Sequence, residues 1–212
     1  MYDIRLLKTD EELYDVGRLR YEVYVREMGR SQEYADNKER TIIEPYDTLS
    51  STRIIVAYLN SELVATSRIK VYYPKDDISE LACYRIPQSI SDLLTITEGT
   101  KYMIKKSLRG TGTTLGVQMM MYAYQVLLEE KVDIDVLNAN DYLIHYYQDK
   151  GYRRYGDGYH HEELNQFVYP MALLINDYEY FKKTNSPFYE ESMTIKYPVD
   201  PQKLNVAKTI FD

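Results

Sequence analysis

Residues 107–115 read Ser-Leu-Arg-Gly-Thr-Gly-Thr-Thr-Leu and lie between an alternating segment at 95–107 and an apolar segment at 112–130. The alternation predicts a β-strand and the apolar segment predicts a helix, so the two glycines fall in a strand-to-helix turn. Glycine lets the backbone approach a ligand closely, and the free N–H groups of a helix N-terminus attract anions. The stretch therefore indicates either a phosphate-binding loop or an ordinary glycine-rich turn.

The charges around this turn favour an anion. Residues 99–128 contain no acidic residue, although the whole chain has 26 Lys+Arg against 33 Asp+Glu and a formal net charge of −7. The basic residues of this segment are Lys101, Lys105, Lys106 and Arg109. The loop is neither a Walker A motif nor a complete G-x-G-x-x-G dinucleotide fingerprint. An acidic chain is poorly suited to the nucleic-acid backbone, so no nucleic-acid partner is expected.

Length and composition indicate one globular domain from a reducing compartment. The chain has 212 residues, of which 44% are hydrophobic and 28% charged, and these values suit a sizeable core. No apolar run approaches the roughly 20 residues of a membrane span, and residues 1–30 lack the apolar core of a signal peptide. The single cysteine, Cys83, excludes an intrachain disulfide and a cysteine-rich zinc site. We therefore expect a cytoplasmic protein without a metal site.

The predicted elements follow the order of an α/β domain with a mixed sheet. A strand at 2–7 precedes a helix that opens with a capping box at Thr9 and Glu12 and runs to about Glu27. Asn60-Ser61 suits the tight turn of a β-hairpin. Further strands are predicted at 52–59, 62–72, 133–138, 152–155 and 166–175, and a further helix at 140–149. Antiparallel strands followed by alternating helices and strands are typical of this fold class.

Two motifs together resemble the GCN5-related N-acetyltransferase (GNAT) family. Its pyrophosphate-binding loop reads Arg/Gln-x-x-Gly-x-Gly/Ala, and Arg109, Gly112 and Thr114 stand at the three defined positions. The stretch 147–152, Tyr-Gln-Asp-Lys-Gly-Tyr, resembles the family signature Tyr-x-x-x-Gly-Phe. The resemblance implies a GNAT fold over residues 1–175, with a mixed central sheet flanked by helices and a β-bulge on the central strand. Residues 176–212 are then expected to be a C-terminal helix and tail packed on the same domain.

Four shorter motifs resemble one branch of that family, the acyl-homoserine-lactone synthases and long-chain N-acyl amino acid synthases. The motifs are Arg20-Tyr21-Glu22-Val23-Tyr24 for Arg-x-x-Val-Phe, Glu44-Pro45-Tyr46-Asp47 for Asp-x-x-Asp, Ala65-Thr66-Ser67-Arg68-Ile69 for Gly-x-x-Arg-Leu, and Glu98-Gly99-Thr100-Lys101-Tyr102-Met103-Ile104 for Glu-x-Ser-Arg-Phe-x-Val. The homoserine-lactone branch typically carries a tryptophan, and this chain has none. The resemblance therefore favours the amino-acid branch or an unassigned relative.

This branch implies an N-acyltransferase whose co-substrate is an acyl thioester of phosphopantetheine, on acyl carrier protein or coenzyme A, with no tightly bound cofactor. The implied substrate-binding residues are Arg20, Tyr24, Glu44, Asp47, Arg68 and Lys101, and the implied donor-binding residues are Tyr102, Ile104, Arg109, Gly110, Thr111, Gly112 and Thr113. An acidic carrier protein would dock on Lys101, Lys105, Lys106 and Arg109. Two alternatives stay open: an acetyl-CoA-dependent small-molecule acetyltransferase, and a non-catalytic module that binds acyl thioesters.

Arg20 interrupts an apolar helix face, because helical spacing places it in line with Leu13 and Val16. A buried arginine needs a carboxylate partner, and the resemblance implies Asp47 and Glu44. The alternative is an arginine at the helix edge that extends its charge into water. Arg68 has two alternative roles: it could bind the carboxylate of an amino acid bidentately, or it could form a structural salt bridge.

Glu98 alternates with apolar residues and is expected to project from an apolar strand face. Burial raises the pKa of a carboxylate, and such a group is a candidate general base for an amine; a structural ion pair is the alternative. Gly99 suits a β-bulge, which would bring Lys101 to the same face as a partner of Glu98. The resemblance makes Tyr147 the candidate acid for the leaving thiolate, whereas a chain with 24 Tyr also uses tyrosine in its core.

Overall fold

A computed structural model describes residues 1–110, 114–161, 166–194 and 199–212. Its strands are β1 (Asp3–Leu6), β2 (Ala35–Asp36), β3 (Thr41–Ile42), β4 (Thr52–Leu59), β5 (Glu62–Tyr72), β6 (Ile96–Ile104), β7 (Ile134–Asn140), β8 (Arg153–Arg154), β9 (Tyr159–His161) and β10 (Gln166–Leu174). Its α-helices are α1 (Asp10–Tyr21), α2 (Gln88–Ser91), α3 (Leu115–Glu129), α4 (Ile144–Gln148), α5 (Tyr178–Thr184), α6 (Phe188–Thr194) and α7 (Pro201–Lys208). None of the helices in these ranges is both long and apolar enough to cross a membrane.

The chain forms two units, one of Met1–Lys70 with Gly99–Ala123 and the other of Val71–Glu98 with Tyr124–Asp212. In the first unit the strands follow the order β1-β4-β5-β6. The β4–β5 hairpin is antiparallel and turns through Asn60 and Ser61, whose φ angles of 51° and 67° are those of a type I′ turn. The predicted hairpin is therefore confirmed. Leu13 and Val16 of α1 pack in a core cluster of this unit with residues of β4.

In the second unit the strands follow the order β6-β7-β10-β8, with β9 beside β10. Strand β6 pairs in parallel with β7 over Ile96–Glu98, whereas β7 and β10 are antiparallel, so the sheet is mixed as expected. Residues of β6, β7 and β10 form the apolar core together with Leu81 and Ile90. Ala207 and Ile210 belong to this same core, which ties the C-terminal residues to the unit.

One expectation about local structure is wrong, and two features were not predicted. His160 and His161 lie in strand β9, where no strand was predicted, because residues 159–161 pair with 166–168 of β10. Residues 176–212 contain the three helices α5, α6 and α7, where a single helix and a tail were expected. Within β6, Lys101 has a left-handed φ of 52°. A non-glycine residue rarely adopts this backbone conformation, so residue preferences do not predict it.

Candidate active site

Five charged side chains from separate segments of the first unit meet in a buried network. Arg20 donates to both carboxylate oxygens of Asp47, at 2.6 and 3.0 Å. Arg68 donates to Glu44 Oε2 at 2.5 Å and lies 3.3 Å from Asp47 Oδ1. Lys101 Nζ is 2.6 Å from the other carboxylate oxygen of Glu44. The structure thus brings together residues of α1, the turn before β4, β5 and β6, as the four motifs implied.

A short turn orients the acidic members of the network. Residues Pro45–Thr48 form one turn of 3₁₀ helix, and the backbone N–H of Glu44 donates to Asp47 Oδ2 at 2.7 Å. This bond fixes the carboxylate that receives the Arg20 guanidinium. Arg20 has no exposed surface, so its alternative position at the helix edge is wrong. Its Nε lacks a hydrogen-bond partner among the described residues.

Electrostatics keep the network ionised. Burial by itself raises the pKa of Glu44, but Lys101 and Arg68 outweigh it and hold that pKa below its usual range. For Asp47 burial acts in the same way and Arg20 outweighs it, so this pKa is also lowered. Burial lowers the pKa of Lys101, and the charge of Glu44 opposes that effect. Three cations and two carboxylates share the network, and Lys101, with a side chain 17% exposed, is its most accessible member.

Neighbouring polar and aromatic groups complete the cluster. Arg68 Nε donates to Thr100 Oγ1 at 3.1 Å, and the Lys101 ammonium lies 5.1 Å from the centre of the Tyr24 ring. Tyr24 follows α1 in a π-helical segment, Glu22–Glu27, and such segments are frequent at functional sites. Thr100 was not among the predicted site residues, although it lies inside a quoted motif. Lys101 was expected to pair with Glu98, and its ion pair in this unit is with Glu44.

Glu98 belongs to the second unit and ends the parallel pairing of β6 with β7, where it aligns with Val136. The hydroxyl of Tyr84 donates to Glu98 Oε1 at 3.0 Å. Burial, followed by the charge of Glu98, raises the pKa of Tyr84 well above its usual range, so the phenol stays a donor. Sequence reasoning missed Tyr84 because it lies in a 3₁₀ helix, Ser79–Tyr84, that no motif covers.

Tyr147 lies on the other face of the same sheet. Thr97 aligns with Asp135 on that face, and the hydroxyl of Tyr152 donates to Asp135 Oδ2 at 2.6 Å. The ring of Tyr147 packs edge-on against Tyr152, with centroids 5.5 Å apart. Since neighbouring residues of a strand alternate between faces, Glu98 and Tyr147 are not brought to one face. Burial raises the pKa of Tyr147 and keeps its hydroxyl protonated.

The candidate donor loop is described up to Gly110, whose φ of 66° requires the freedom of glycine. Arg109 turns back from the loop and donates to the Ile104 carbonyl and, at 2.7 Å, to Glu27. The hydroxyl of Tyr102 donates to the carbonyl of Gly116 in the first turn of α3, at 3.0 Å. The predicted loop residues Thr111, Gly112 and Thr113 lie outside the described residues.

Carboxylates neutralise much of the expected docking surface for a carrier protein. Lys105 pairs with Glu62 and Arg109 with Glu27. Lys101 is held in the buried network by Glu44. This region is therefore less positive than its own sequence suggests, because acids from distant segments of the chain fold against it.

The sequence profile of the N-acyl amino acid synthase FeeM family matches residues 15–174. The chain belongs to this family. It is accordingly an N-acyltransferase, and the expected family resemblance is confirmed. A comparison with curated protein sequences gave no significant match.

Solved structures agree with the family in fold. FeeM from uncultured soil microbes is 15% identical, with 90% of this chain and 98% of that chain covered and a TM-score of 0.65. The CoA-dependent acyl-homoserine lactone synthase BjaI is 16% identical, with 98% of both chains covered and a TM-score of 0.64. An acyl-CoA N-acyltransferase from Pseudomonas aeruginosa is 20% identical, with 82% and 99% covered and a TM-score of 0.59. The predicted GNAT fold is thereby confirmed for this FeeM-family chain.

Proposed function

We propose that this FeeM-family protein transfers an acyl chain from a phosphopantetheine thioester, on coenzyme A or acyl carrier protein, to the amine of an amino acid or a related small molecule. The observation that carries the proposal is the buried network of Arg20, Glu44, Asp47, Arg68 and Lys101, with its excess of one cation. A carboxylate on the acceptor would balance that charge. Amino acids carry such a group next to their amine.

Within the network the roles differ with burial. Arg20 and Asp47 have fully buried side chains, so they act as positioning residues that hold α1 against the turn before β4. Lys101 is the cation with the most exposed side chain, and we assign it the contact with the acceptor carboxylate. Arg68 pairs with Glu44, the same carboxylate that pairs with Lys101, and so holds it in place. The related motif has an arginine at the position of Lys101. An arginine would bind a carboxylate bidentately, whereas the lysine ammonium makes a single point contact.

Glu98 is the candidate base. It is partly buried and accepts a hydrogen bond from Tyr84, a setting that suits a carboxylate with a defined orientation. The amine would lose a proton to Glu98, directly or through a water, while its nitrogen attacks the thioester carbonyl carbon. The new C–N bond forms a tetrahedral intermediate, whose collapse breaks the C–S bond and releases the phosphopantetheine thiolate.

Tyr147 is the candidate acid that protonates the departing thiolate. Burial raises its pKa, so the phenol carries its proton at neutral pH and would donate a hydrogen bond to the developing thiolate. Because Glu98 and Tyr147 lie on opposite faces, the thioester would pass the end of the β6–β7 pairing at Glu98. The carbonyl carbon of the thioester would then face the amine at Glu98, and its sulfur would point toward Tyr147.

Mass spectrometry of the acceptor products tests the proposal. The purified protein would be incubated with an equimolar mixture of amino acids and, in parallel, with octanoyl-CoA, octanoyl carrier protein or acetyl-CoA. We expect N-octanoyl amino acids with at least one long-chain donor, and little N-acetyl product. Products from acetyl-CoA alone would instead identify a small-molecule acetyltransferase. If every donor is bound and none is consumed, the chain is a non-catalytic thioester-binding module and the proposal is wrong.

A further inference from the structure

Three buried polar atoms of the second unit have no hydrogen-bond partner among the described residues. They are Asn138 Oδ1, the Tyr159 hydroxyl and His161 Nδ1. Buried polar groups in folded proteins are nearly always paired, and an unpaired one costs the free energy of its lost hydration. Three such atoms on the nearby strands β7 and β9 therefore indicate a binding position for a polar group of a ligand.

Strand register places all three side chains on one face of the sheet. Tyr159 is opposite Val168 in β10, which is in turn opposite Asn140 in β7. Asn138 and His161 lie two residues from Asn140 and Tyr159, and side chains two residues apart share a face. The rings of Tyr159 and His161 are stacked with centroids 6.1 Å apart. The three unpaired atoms thus belong to one polar patch.

Glu98 faces the same side. It aligns with Val136 of β7, two residues before Asn138. Burial and the neighbouring side chain of Cys83 raise the pKa of Tyr159, the amide of Asn138 opposes them, and the charge of Glu98 raises it more weakly. The patch therefore lies within the electrostatic reach of the candidate base, past Glu98 and Val136, where the parallel pairing of β6 with β7 ends.

The chemistry of the patch selects its ligand. Asn138 Nδ2 reaches Cys83 Sγ at 4.0 Å. The oxygen and nitrogen of the Asn138 amide can be assigned in either orientation. In the other orientation the oxygen would lie near Cys83, and the nitrogen would be the atom without a partner. A ligand group that both donates and accepts satisfies either arrangement, as well as the Tyr159 hydroxyl. A carboxylate fits poorly, because it would meet the negative charge of Glu98.

We propose that Asn138, Tyr159 and His161 form a recognition subsite for a neutral hydroxyl or amide group on the acceptor amine. The subsite rests on the proposed function, and it narrows the acceptor class to amines with a neutral polar side group. Tyr84 and Glu98 hold the amine end of this acceptor. The three unassigned residues determine which side group is accepted.

The test compares acceptors that differ by one polar group: serine with alanine, tyrosine with phenylalanine, and glutamine with methionine. Acyl transfer would be measured for the wild type and for Tyr159→Phe and Asn138→Leu. Tyr178→Phe is the matched control, because it removes a hydroxyl that already donates to Asn176 in the same unit, at 3.1 Å. We expect the wild type to prefer the polar member of at least one pair. The kcat/KM for the polar acceptor divided by that for the apolar acceptor should fall about three- to tenfold in each subsite variant. The same ratio should stay constant in the control.

Calorimetric titration of the same amines without any acyl donor separates this inference from the proposed function. If acyl transfer occurs but the ratio is the same in all variants, the subsite is wrong and the proposed function stands. If no acyl transfer occurs but the polar amine binds the wild type and binds both subsite variants at least threefold more weakly, the subsite stands and the proposed function fails. Equal titrations of wild type and variants, with no transfer, would overturn both.

Discussion

Arg20 and Asp47 are 27 residues apart in the sequence and form a bidentate ion pair in which neither side chain is exposed. Removing one member of such a pair leaves the other charge buried without its main partner, at a cost of about 3–5 kcal/mol. We therefore expect Arg20→Ala to lower the free energy of unfolding by about that amount and to weaken binding of the acceptor. Urea denaturation followed by circular dichroism measures the first effect.

The same helical region supplies a control for this substitution. Arg26 pairs with Glu22, but both side chains are about half exposed. Exposed pairs contribute roughly 0–1 kcal/mol, so Arg26→Ala should change the unfolding free energy by no more than that. Similar losses for Arg20→Ala and Arg26→Ala would show that the buried pair has no special role.

Glu98→Gln keeps the size of the side chain and removes the base. The rate of acyl transfer at neutral pH should fall by roughly 10²–10⁴, the range for loss of a general base. Tyr84→Phe keeps the carboxylate and removes only its 3.0 Å hydrogen bond. Because a donor stabilises the charged form, its loss should raise the pKa of Glu98 and move the acidic limb of the kcat/KM profile to higher pH. Full activity of Glu98→Gln would exclude Glu98 as the base.

The parts of the fold that the sequence predicted correctly are those that local chemistry determines. Asn60-Ser61 tolerates the positive φ of a hairpin turn, so β4 and β5 have the predicted bounds. The ion network was predictable through Arg20, because an arginine on an apolar helix face requires an acidic partner. Strand β9 was missed because its three residues are held by pairing with β10, a contact with no local signal.

Features of the candidate site that depend on tertiary structure could not be predicted. Glu98 and Tyr147 were assigned as base and acid from separate motifs, and only the register of β6 with β7 shows that they lie on opposite faces. The left-handed residue of β6 is Lys101, although residue preferences alone favour Gly99, two positions earlier. Lys101 adopts this conformation while its ammonium pairs with Glu44.

The candidate donor loop is tested by two substitutions with unequal effects. Arg109 donates to the Ile104 carbonyl and to Glu27, so its guanidinium holds chain segments together. Arg109→Ala should therefore weaken binding of coenzyme A less than tenfold. Gly112→Val would introduce a β-branched side chain where backbone N–H groups are expected to approach the phosphates, and we expect at least a tenfold loss.

Calorimetric titration with coenzyme A and with pantetheine phosphate would compare these variants, after thermal melting shows that each is folded. If Gly112→Val binds both ligands as tightly as the wild type, residues 109–113 form an ordinary turn. A loss for Arg109→Ala as large as that for Gly112→Val would mean that side-chain contacts, and not backbone groups, hold the phosphates.

Asp135 makes the stability of the second unit depend on pH. Its buried carboxyl group accepts hydrogen bonds from Thr97 and Tyr152, both at 2.6 Å. Burial raises its pKa from 3.8 to about 6, against the opposing effect of these two bonds. The folded protein therefore binds the proton more tightly than the unfolded chain. The resulting stability is fully present below about pH 4 and is lost as the pH rises through about 6, in total about 3 kcal/mol.

Asp135→Asn removes this titration, so the unfolding free energy of the variant should decline less than that of the wild type between pH 4.5 and pH 7.5. Urea denaturation at four pH values in this range gives the difference, and effects of other groups such as Glu44 cancel in it. Tyr152→Phe, which restores the residue of the related family motif, removes a donor to the ionised carboxylate. The pKa of Asp135 should then rise further, and the decline in stability should begin at higher pH. Parallel curves for wild type and Asp135→Asn would show that the raised pKa of Asp135 has no effect on folding.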